Sequence, residues 1–184
     1  MNKKKTAKMT TRLKEIDPYA FQAKINTLWN RQYLLLAAGD FKAGRFNTMT
    51  VAWGMLGIMW NKPYAMIVVR PSRYTFSFLN RYPDFTLSAF PEKFSNDLTL
   101  LGTKSGRDGN KLAETALHPV PSHHVAAPAF AEAELVIECR KMYWNDLISE
   151  NFTDQSIYRK HEIRNSHRLY FGEIVALRGV EKYC

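Results

Sequence analysis

Short apolar runs, each closed by glycine, proline or asparagine, recur along this chain with only brief helical patterns between them. Tyr33 to Ala38 stops at Gly39-Asp40, and a turn at Phe41 to Arg45, containing Gly44, leads into Met49 to Gly54. Asn61-Lys62-Pro63 sets off Tyr64 to Val69, while Pro83 and Pro91 bracket Phe85 to Phe90. Two longer runs, Ala133 to Tyr143 and Arg168 to Leu177, bring the total to about six strands. A doubly wound parallel sheet needs strands that alternate regularly with helices, and that alternation is absent. A closed antiparallel barrel with short inserted helices satisfies the pattern, giving a mainly β fold.

The helical patterns are modest. Asp17-Pro18 has the chemistry of a helix start, followed by Phe21, Ile25, Leu28 and Trp29 at helical spacing. Thr75, Phe78, Leu79 and Tyr82 share one helical face, and Phe94, Leu98 and Leu101 predict a short helix ended by Gly102. Lys111 to Ala116 predicts another. Pro121 to Pro128, with Ser122-His123-His124, reads as loop, and 145–166 as a polar surface excursion.

The chain of 184 residues has the length of one domain, assigned to 17–184. Its net charge of +9 is concentrated at one end. Lys3, Lys4, Lys5, Lys8, Arg12 and Lys14 all precede the first acidic residue, Glu15, so 1–16 reads as a basic, solvated tail. That distribution argues against a nucleic-acid surface. The two cysteines, Cys139 and Cys184, form no C-x-x-C pair, which removes a thioredoxin-like or zinc site and suits a reducing, cytoplasmic setting. No continuous apolar stretch follows the basic end, and Met49 to Trp60 is too short to span a bilayer, so no membrane association is expected. The five histidines, at 118, 123, 124, 161 and 167, are scattered, and no metal site is expected.

Several common chemistries lack their signatures. G-x-G-x-x-G after a strand, G-x-x-x-x-G-K-[ST], H-E-x-x-H and G-x-S-x-G are all missing. Three segments carry the polar chemistry instead. Arg70-Pro71-Ser72-Arg73-Tyr74-Thr75 places guanidinium and hydroxyl groups where a strand gives way to a helix, which suits an anion. It equally suits an ordinary helix cap with surface arginines. Ser105-Gly106-Arg107-Asp108 with Lys111 offers a backbone that a ligand can approach, or simply a polar turn. In Asn47-Thr48-Met49-Thr50-Val51-Ala52-Trp53-Gly54, residues 47, 49, 51 and 53 share one strand face. Amide, thioether and indole could edge an aromatic heterocycle or could pack a core. His167, at the head of the last strand, could meet a ring edge or lie at the surface. Together the segments offer surfaces for a flat, half-polar, phosphorylated ligand, and 4 Trp, 9 Tyr and 11 Phe leave aromatics to spare for stacking.

The ordered set N-T-M-T-V-A-W-G (47–54), W-N-K-P (60–63), R-P-S-R-Y-T (70–75), F-T-L-S-A-F (85–90), G-T-K-S-G-R-D-G-N-K (102–111), E-A-E-L-V-I-E-C-R-K-M-Y (132–143) and H-R-L-Y-F-G-E-I-V (167–175) resembles the flavin reductase-like, FMN-binding split-barrel family, flavoredoxins included. The resemblance covers roughly residues 30 to 178. Asn110, where an acidic residue is common, and Trp144 with 145–166 depart from it.

The resemblance implies a six-stranded antiparallel split β-barrel of Greek-key type that forms a homodimer with FMN near the subunit interface. By this analogy Asn47, Thr48, Met49, Thr50 and Trp53 line the flavin and its ribityl chain. Arg70, Ser72, Tyr74, Thr75 and Lys111 surround the phosphate, with Ser105 and Arg107 nearby. Ser88, Ala89 and Phe90 run along the isoalloxazine. Tyr143, Phe171 and His167, the catalytic candidate, approach the ring or the reductant from the same or the other subunit. The implied activity takes hydride from NAD(P)H as a transient co-substrate and passes electrons to free flavin, a metal complex or a partner protein. An FMN electron carrier without NAD(P)H activity, or a split-barrel protein with a non-flavin ligand, are the alternatives.

Overall fold

The computed structural model describes residues 13–160 and 167–184. Ten strands follow in chain order: β1 (Lys14–Glu15), β2 (Leu34–Asp40), β3 (Arg45–Val51), β4 (Gly54–Met59), β5 (Lys62–Val69), β6 (Asp84–Ala89), β7 (Pro119–Val120), β8 (Ala129–Phe130), β9 (Leu135–Asp146) and β10 (Arg168–Gly179). The main sheet is antiparallel with the order β3-β2-β6-β9-β10-β5-β4, and β1 adds to the end of β10. β7 and β8 form a separate pair. Helices α1 (Ile25–Thr27), α2 (Tyr74–Arg81), α3 (Ser95–Thr103) and α4 (Gln155–Lys160) are short insertions.

Period-two alternation divides the interior. Along β2, Leu34, Leu36 and Ala38 join Val51, Ile67, Phe85, Leu87, Ile137 and Tyr170 in the barrel core. Leu35 and Ala37 point outward to a second cluster with Phe90, Phe94, Leu98, Leu101 and Phe130, under α3. Both faces of β2 and β6 are therefore covered; β2 reads as an almost unbroken apolar run, while β6 buries Asp84, Thr86 and Ser88 between its apolar residues. Curvature needs close approach at β10. A Cβ on Gly172 would lie 2.7 Å from the Phe85 ring and 2.8 Å from Cys139 Cβ, and the β9–β10 register slips on either side of it.

Four expectations change. First, Asp17-Pro18 opens a turn rather than a helix: the Asp17 carboxylate accepts from the Tyr19 N–H, and Phe21 stacks on Tyr183 at 6.2 Å, drawing the chain out straight. The helical turns begin at Ile25 and widen to a π-helix over Leu28–Gln32. Second, Lys14–Glu15 pair with Gly179 and Arg178 and Ile16 is buried, so the domain starts before residue 17. Residues 1–12 of the expected tail, and His161, lie outside the described residues.

Third, the run from Met49 splits at Ala52-Trp53, giving β4 as a seventh strand in the main path where about six were expected. Trp60 and Asn61, with φ of 52° and 58°, make a two-residue hairpin between β4 and β5. Fourth, Lys111 to Ala116 forms only a single 3₁₀ turn, Lys111–Glu114, and β9 runs on past Tyr143 to Asp146. There the Asp146 carboxylate accepts two bonds from the Arg168 guanidinium, both at 2.7 Å.

Among the described residues no helix is long and apolar enough to cross a membrane, and no group of three or more His, Cys, Asp or Glu could hold a metal ion.

Candidate cofactor site

β3 carries the site because both of its ends meet a loop. At one end the chain from β5 turns through Arg70 to Arg73 into α2; behind it the chain leaving α3 passes through Ser105 to Lys111. Asn47, Met49, Ser72, Arg73, Thr75, Ser105, Gly106, Arg107 and Lys111 converge on a pocket of about 120 Å³, joined by Tyr74. Among the described residues no carboxylate lines it.

Each of these side chains is held. The Asn47 amide N–H donates to Thr75 Oγ1 at 2.8 Å, with Thr75 1% exposed. A hydroxyl that accepts still has its own proton to give. Gly106 closes over this pair: a Cβ there would stand 2.2 Å from Asn47 Oδ1 and 3.0 Å from the Tyr74 ring, so only glycine fits. The Arg107 guanidinium donates to the Ser72 carbonyl at 3.0 Å and lies 5.1 Å from the Tyr74 ring centre, while its backbone N–H donates to Ser105 Oγ. Arg73 donates to the Gly102 carbonyl at 2.9 Å.

Lys111 is buried, and its ammonium donates to the carbonyls of Leu101 and Lys104 at 2.6 and 2.9 Å. Both cations thus cover the C-terminal carbonyls of α3, where positive charge is favoured. Burial, and then the Arg73 guanidinium, lower the Lys111 pKa to about 8. The sign follows directly. Between about 8 and the ordinary 10.5 the unfolded chain holds a proton that the empty folded protein has lost, so the empty protein gains stability as pH rises. A bound phosphate acts oppositely, because it restores the proton to Lys111. Affinity for a phosphorylated ligand should therefore fall above pH 8 by up to about tenfold per pH unit. Fluorescence titrations of FMN and of riboflavin from pH 7 to 9.5 check this, with riboflavin expected to show no such slope.

Beyond Met49 and Arg73 the pocket continues into a cleft of about 270 Å³ lined by Met49 to Trp53, Val68, Arg70 and His167. The pairing of Arg168 with Val69 places Arg70 and His167 side by side at the end of the sheet. The Arg70 Nε–H donates to His167 Nε2 at 2.9 Å, a bond that the imidazole can accept only with its proton on Nδ1. The half-exposed Trp53 indole stacks on the same ring, 5.2 Å between centres.

Not every expected residue is at the site. Arg70 lines the 270 Å³ cleft and not the 120 Å³ pocket, whereas Arg73 lines both, since α2 begins only at Tyr74. Thr50 lines the ring-side cleft, yet its hydroxyl is engaged by the Leu98 carbonyl of α3, and Thr48 is buried. Ser88, Ala89 and Phe90 are fully buried, because β6 is paired on both sides and covered on both faces. Ala89 belongs to the barrel core, and Phe90 packs on Phe94 and Phe130. Tyr143 and Phe171 belong to an aromatic patch on β9 and β10 with Tyr64 and Trp60. Arg73 and Gly106 complete the pocket and were discernible as members of the two polar segments.

The donor set fits a phosphomonoester: hydroxyls from Ser72, Thr75 and Ser105, cations from Arg73, Arg107 and Lys111, and no competing carboxylate. An uncharacterized protein of Archaeoglobus fulgidus is 26% identical over 110 residues, 60% of this chain and 59% of that protein. One from Pyrococcus abyssi is 28% identical over 110 residues, 59% and 60% of the respective chains. The match thus spans about three-fifths of the length of these curated relatives.

Among solved structures, an FMN-binding domain of a flavin reductases-like enzyme from Shewanella baltica OS155 superposes with a TM-score of 0.66 at 15% identity, over 91% of this chain and 77% of that one. Flavoredoxin from Methanosarcina acetivorans gives 0.63 at 22% identity, over 89% and 77%. At these identities the likeness is one of fold, the split barrel. The model of the flavin reductase like domain matches residues 30–183. The chain belongs to the flavin reductase like domain family.

Proposed function

We propose that this domain binds FMN along β3 and, as a homodimer, takes hydride from NAD(P)H and passes electrons to a second acceptor such as free flavin, a metal complex or a partner protein. The observation that carries the reading is the meeting of three separate segments on one small basic, hydroxyl-lined pocket that opens into a cleft beside Trp53. Thr75, Ser72, Ser105, Arg73, Arg107 and Lys111 hold the phosphate. Asn47 orients Thr75. Trp53, with His167 behind it, gives the ring a flat wall, and Arg70 adds a donor at the ring's edge. FMN, when bound, supplies a ring that accepts hydride and releases electrons; the side chains orient it and bias its charge. No dinucleotide-binding motif is present, which suits a nicotinamide that visits and leaves.

The second subunit is inferred from the aromatic patch. Trp60, Tyr143 and Met55 are exposed, and Tyr143, Phe171 and Tyr64 stand ring to ring at 5.7 and 5.8 Å. Such a surface is larger and more continuous than scattered apolar side chains. Covering it with a second copy brings Tyr143 and Phe171 toward the partner's cofactor.

The test is spectroscopic. Protein purified with FMN and mixed anaerobically with NADH or NADPH should lose its flavin absorbance. If the flavin stays oxidised with both nicotinamides yet bleaches with dithionite, the protein is an electron carrier. Failure to bind FMN at all removes the reading.

A further inference from the structure

A separate pocket of about 340 Å³ opens beside the ring-side cleft. Its floor is sheet: Tyr143 and Asn145 of β9 stand opposite Phe171 and Leu169 of β10. Leu169 is also the cross-strand partner of Val68, which lines the ring-side cleft. The two spaces therefore meet on one face of the sheet, with about 5 Å between the Cβ atoms of that pair. Leu147 is tied to the same corner, its N–H donating to the His167 carbonyl at 2.9 Å. The chain then folds back in a single 3₁₀ turn, Ser149–Asn151, in which the Asn151 N–H donates to the Ile148 carbonyl and the Phe152 N–H to that of Ser149. The turn brings Ile148 and Phe152 into the lining. Most of the pocket thus comes from 145–152, within the stretch where this chain departs from the family resemblance.

Its chemistry is unlike that of the phosphate pocket. The walls are largely apolar, and among the described residues no lysine, arginine or histidine lines it. The one charged side chain there, the Asp146 carboxylate, is already paired with Arg168 and can only repel an anion. The donors are neutral: the Tyr143 hydroxyl and the amides of Asn145 and Asn151. The Asn145 amide oxygen accepts from the Asp146 N–H at 2.9 Å, so its NH₂ is the end that can donate to a ligand. A free flavin phosphate or a polycarboxylate iron chelate would shed water here with no cation to replace it. A flat, uncharged molecule fills apolar space of this size and needs only a few placed donors. Donors on two sides, Asn145 on the sheet and Asn151 on the turn, match carbonyl oxygens at both ends of such a molecule.

We propose that this pocket receives a neutral quinone as the electron acceptor of the bound flavin. This rests on the FMN reading and deepens it, choosing the acceptor by charge and shape. The quinone takes two electrons and one proton from the reduced cofactor and a second proton from water, so both carbonyls become hydroxyls and the cofactor returns to its oxidised form. Tyr143 and Phe171 also belong to the aromatic patch assigned to the subunit contact, so a second copy roofs the pocket and keeps water from the bound quinone.

The test follows flavin reoxidation by stopped flow. Protein loaded with FMN is reduced with dithionite and mixed anaerobically with menadione or with ferric citrate, in wild type, Asn145→Ala and Ile148→Asp. Neither residue lines the phosphate pocket or the ring-side cleft, and Ile148 is half exposed; thermal melting checks that both variants fold. The wild-type rate should saturate with menadione and rise only linearly, and more slowly, with ferric citrate. The half-saturating menadione concentration should rise about fivefold in Asn145→Ala, the scale of one hydrogen bond. It should rise about tenfold in Ile148→Asp, where a carboxylate replaces an apolar wall. FMN affinity should stay within about twofold in both. A rate linear in menadione, or one equal in all three proteins, overturns this inference and leaves the FMN reading intact. Variants that dissociate the dimer in sedimentation while the menadione constants stay unchanged assign the pocket to the subunit contact and overturn it too. Protein that binds no FMN removes both.

Discussion

Replacing Thr75 and Lys111 together by alanine lowers FMN affinity about a hundredfold and leaves riboflavin affinity within a factor of about three, by fluorescence titration. The size follows from what is lost, roughly 2–4 kcal/mol of charge-assisted and hydroxyl bonding to a phosphate. An ammonium has three N–H donors, and Lys111 spends two on the Leu101 and Lys104 carbonyls, so one remains for the ligand. Thr75 accepts from Asn47 and keeps its own hydroxyl proton to give to a ligand. Riboflavin lacks the phosphate and serves as the control for general damage to the pocket. Unchanged FMN affinity in the double variant would place the phosphate elsewhere.

Glu138→Ala destabilises the fold by about 3–5 kcal/mol, measured as a shift of the denaturant midpoint at unchanged slope. Glu138 on β9 is fully buried, and its carboxylate accepts from the Arg178 guanidinium at 3.0 Å and from the backbone N–H groups of His123 and His124 at 3.0 and 2.7 Å. Truncation leaves a half-buried cation and two N–H groups without their acceptor, the kind of loss that costs most inside a protein. Asp84 does the same for the N–H groups of Ala126 and Ala127, so two buried carboxylates tie the 121–128 loop to the sheet. A loss below about 1 kcal/mol would mean that water replaces the carboxylate.

How much of this could be read from the residues depends on what kind of signal each element carries. The apolar runs of β2, β5, β9 and β10, and the alternation of β6 between Pro83 and Pro91, announced themselves because periodic burial leaves a trace in composition. β4 did not, since its hairpin uses Trp60 and Asn61 in the left-handed region with no glycine to mark it. The polar segments at 47, 70–75 and 105–111 were visible as chemistry, and the fold does bring them together. Their internal geometry was less legible: whether Arg70 or Arg73 turns toward the pocket depends on where α2 begins, a matter of one residue. Ser88 entered only through the resemblance, and pairing of β6 with both β2 and β9 buries it. The pocket beside β9 left no trace of its own: 145–166 reads as a polar surface excursion, in which Leu147, Ile148 and Phe152 are too few to mark a pattern.

The double duty of Lys111 has an evolutionary corollary. The side chain proposed to meet the phosphate also fastens the last turn of α3, so its loss would fray a helix as well as empty the proposed site of a cation. A barrel that lost Lys111 would need a second, compensating replacement to cover the Leu101 and Lys104 carbonyls, so this position is hard to vary one step at a time.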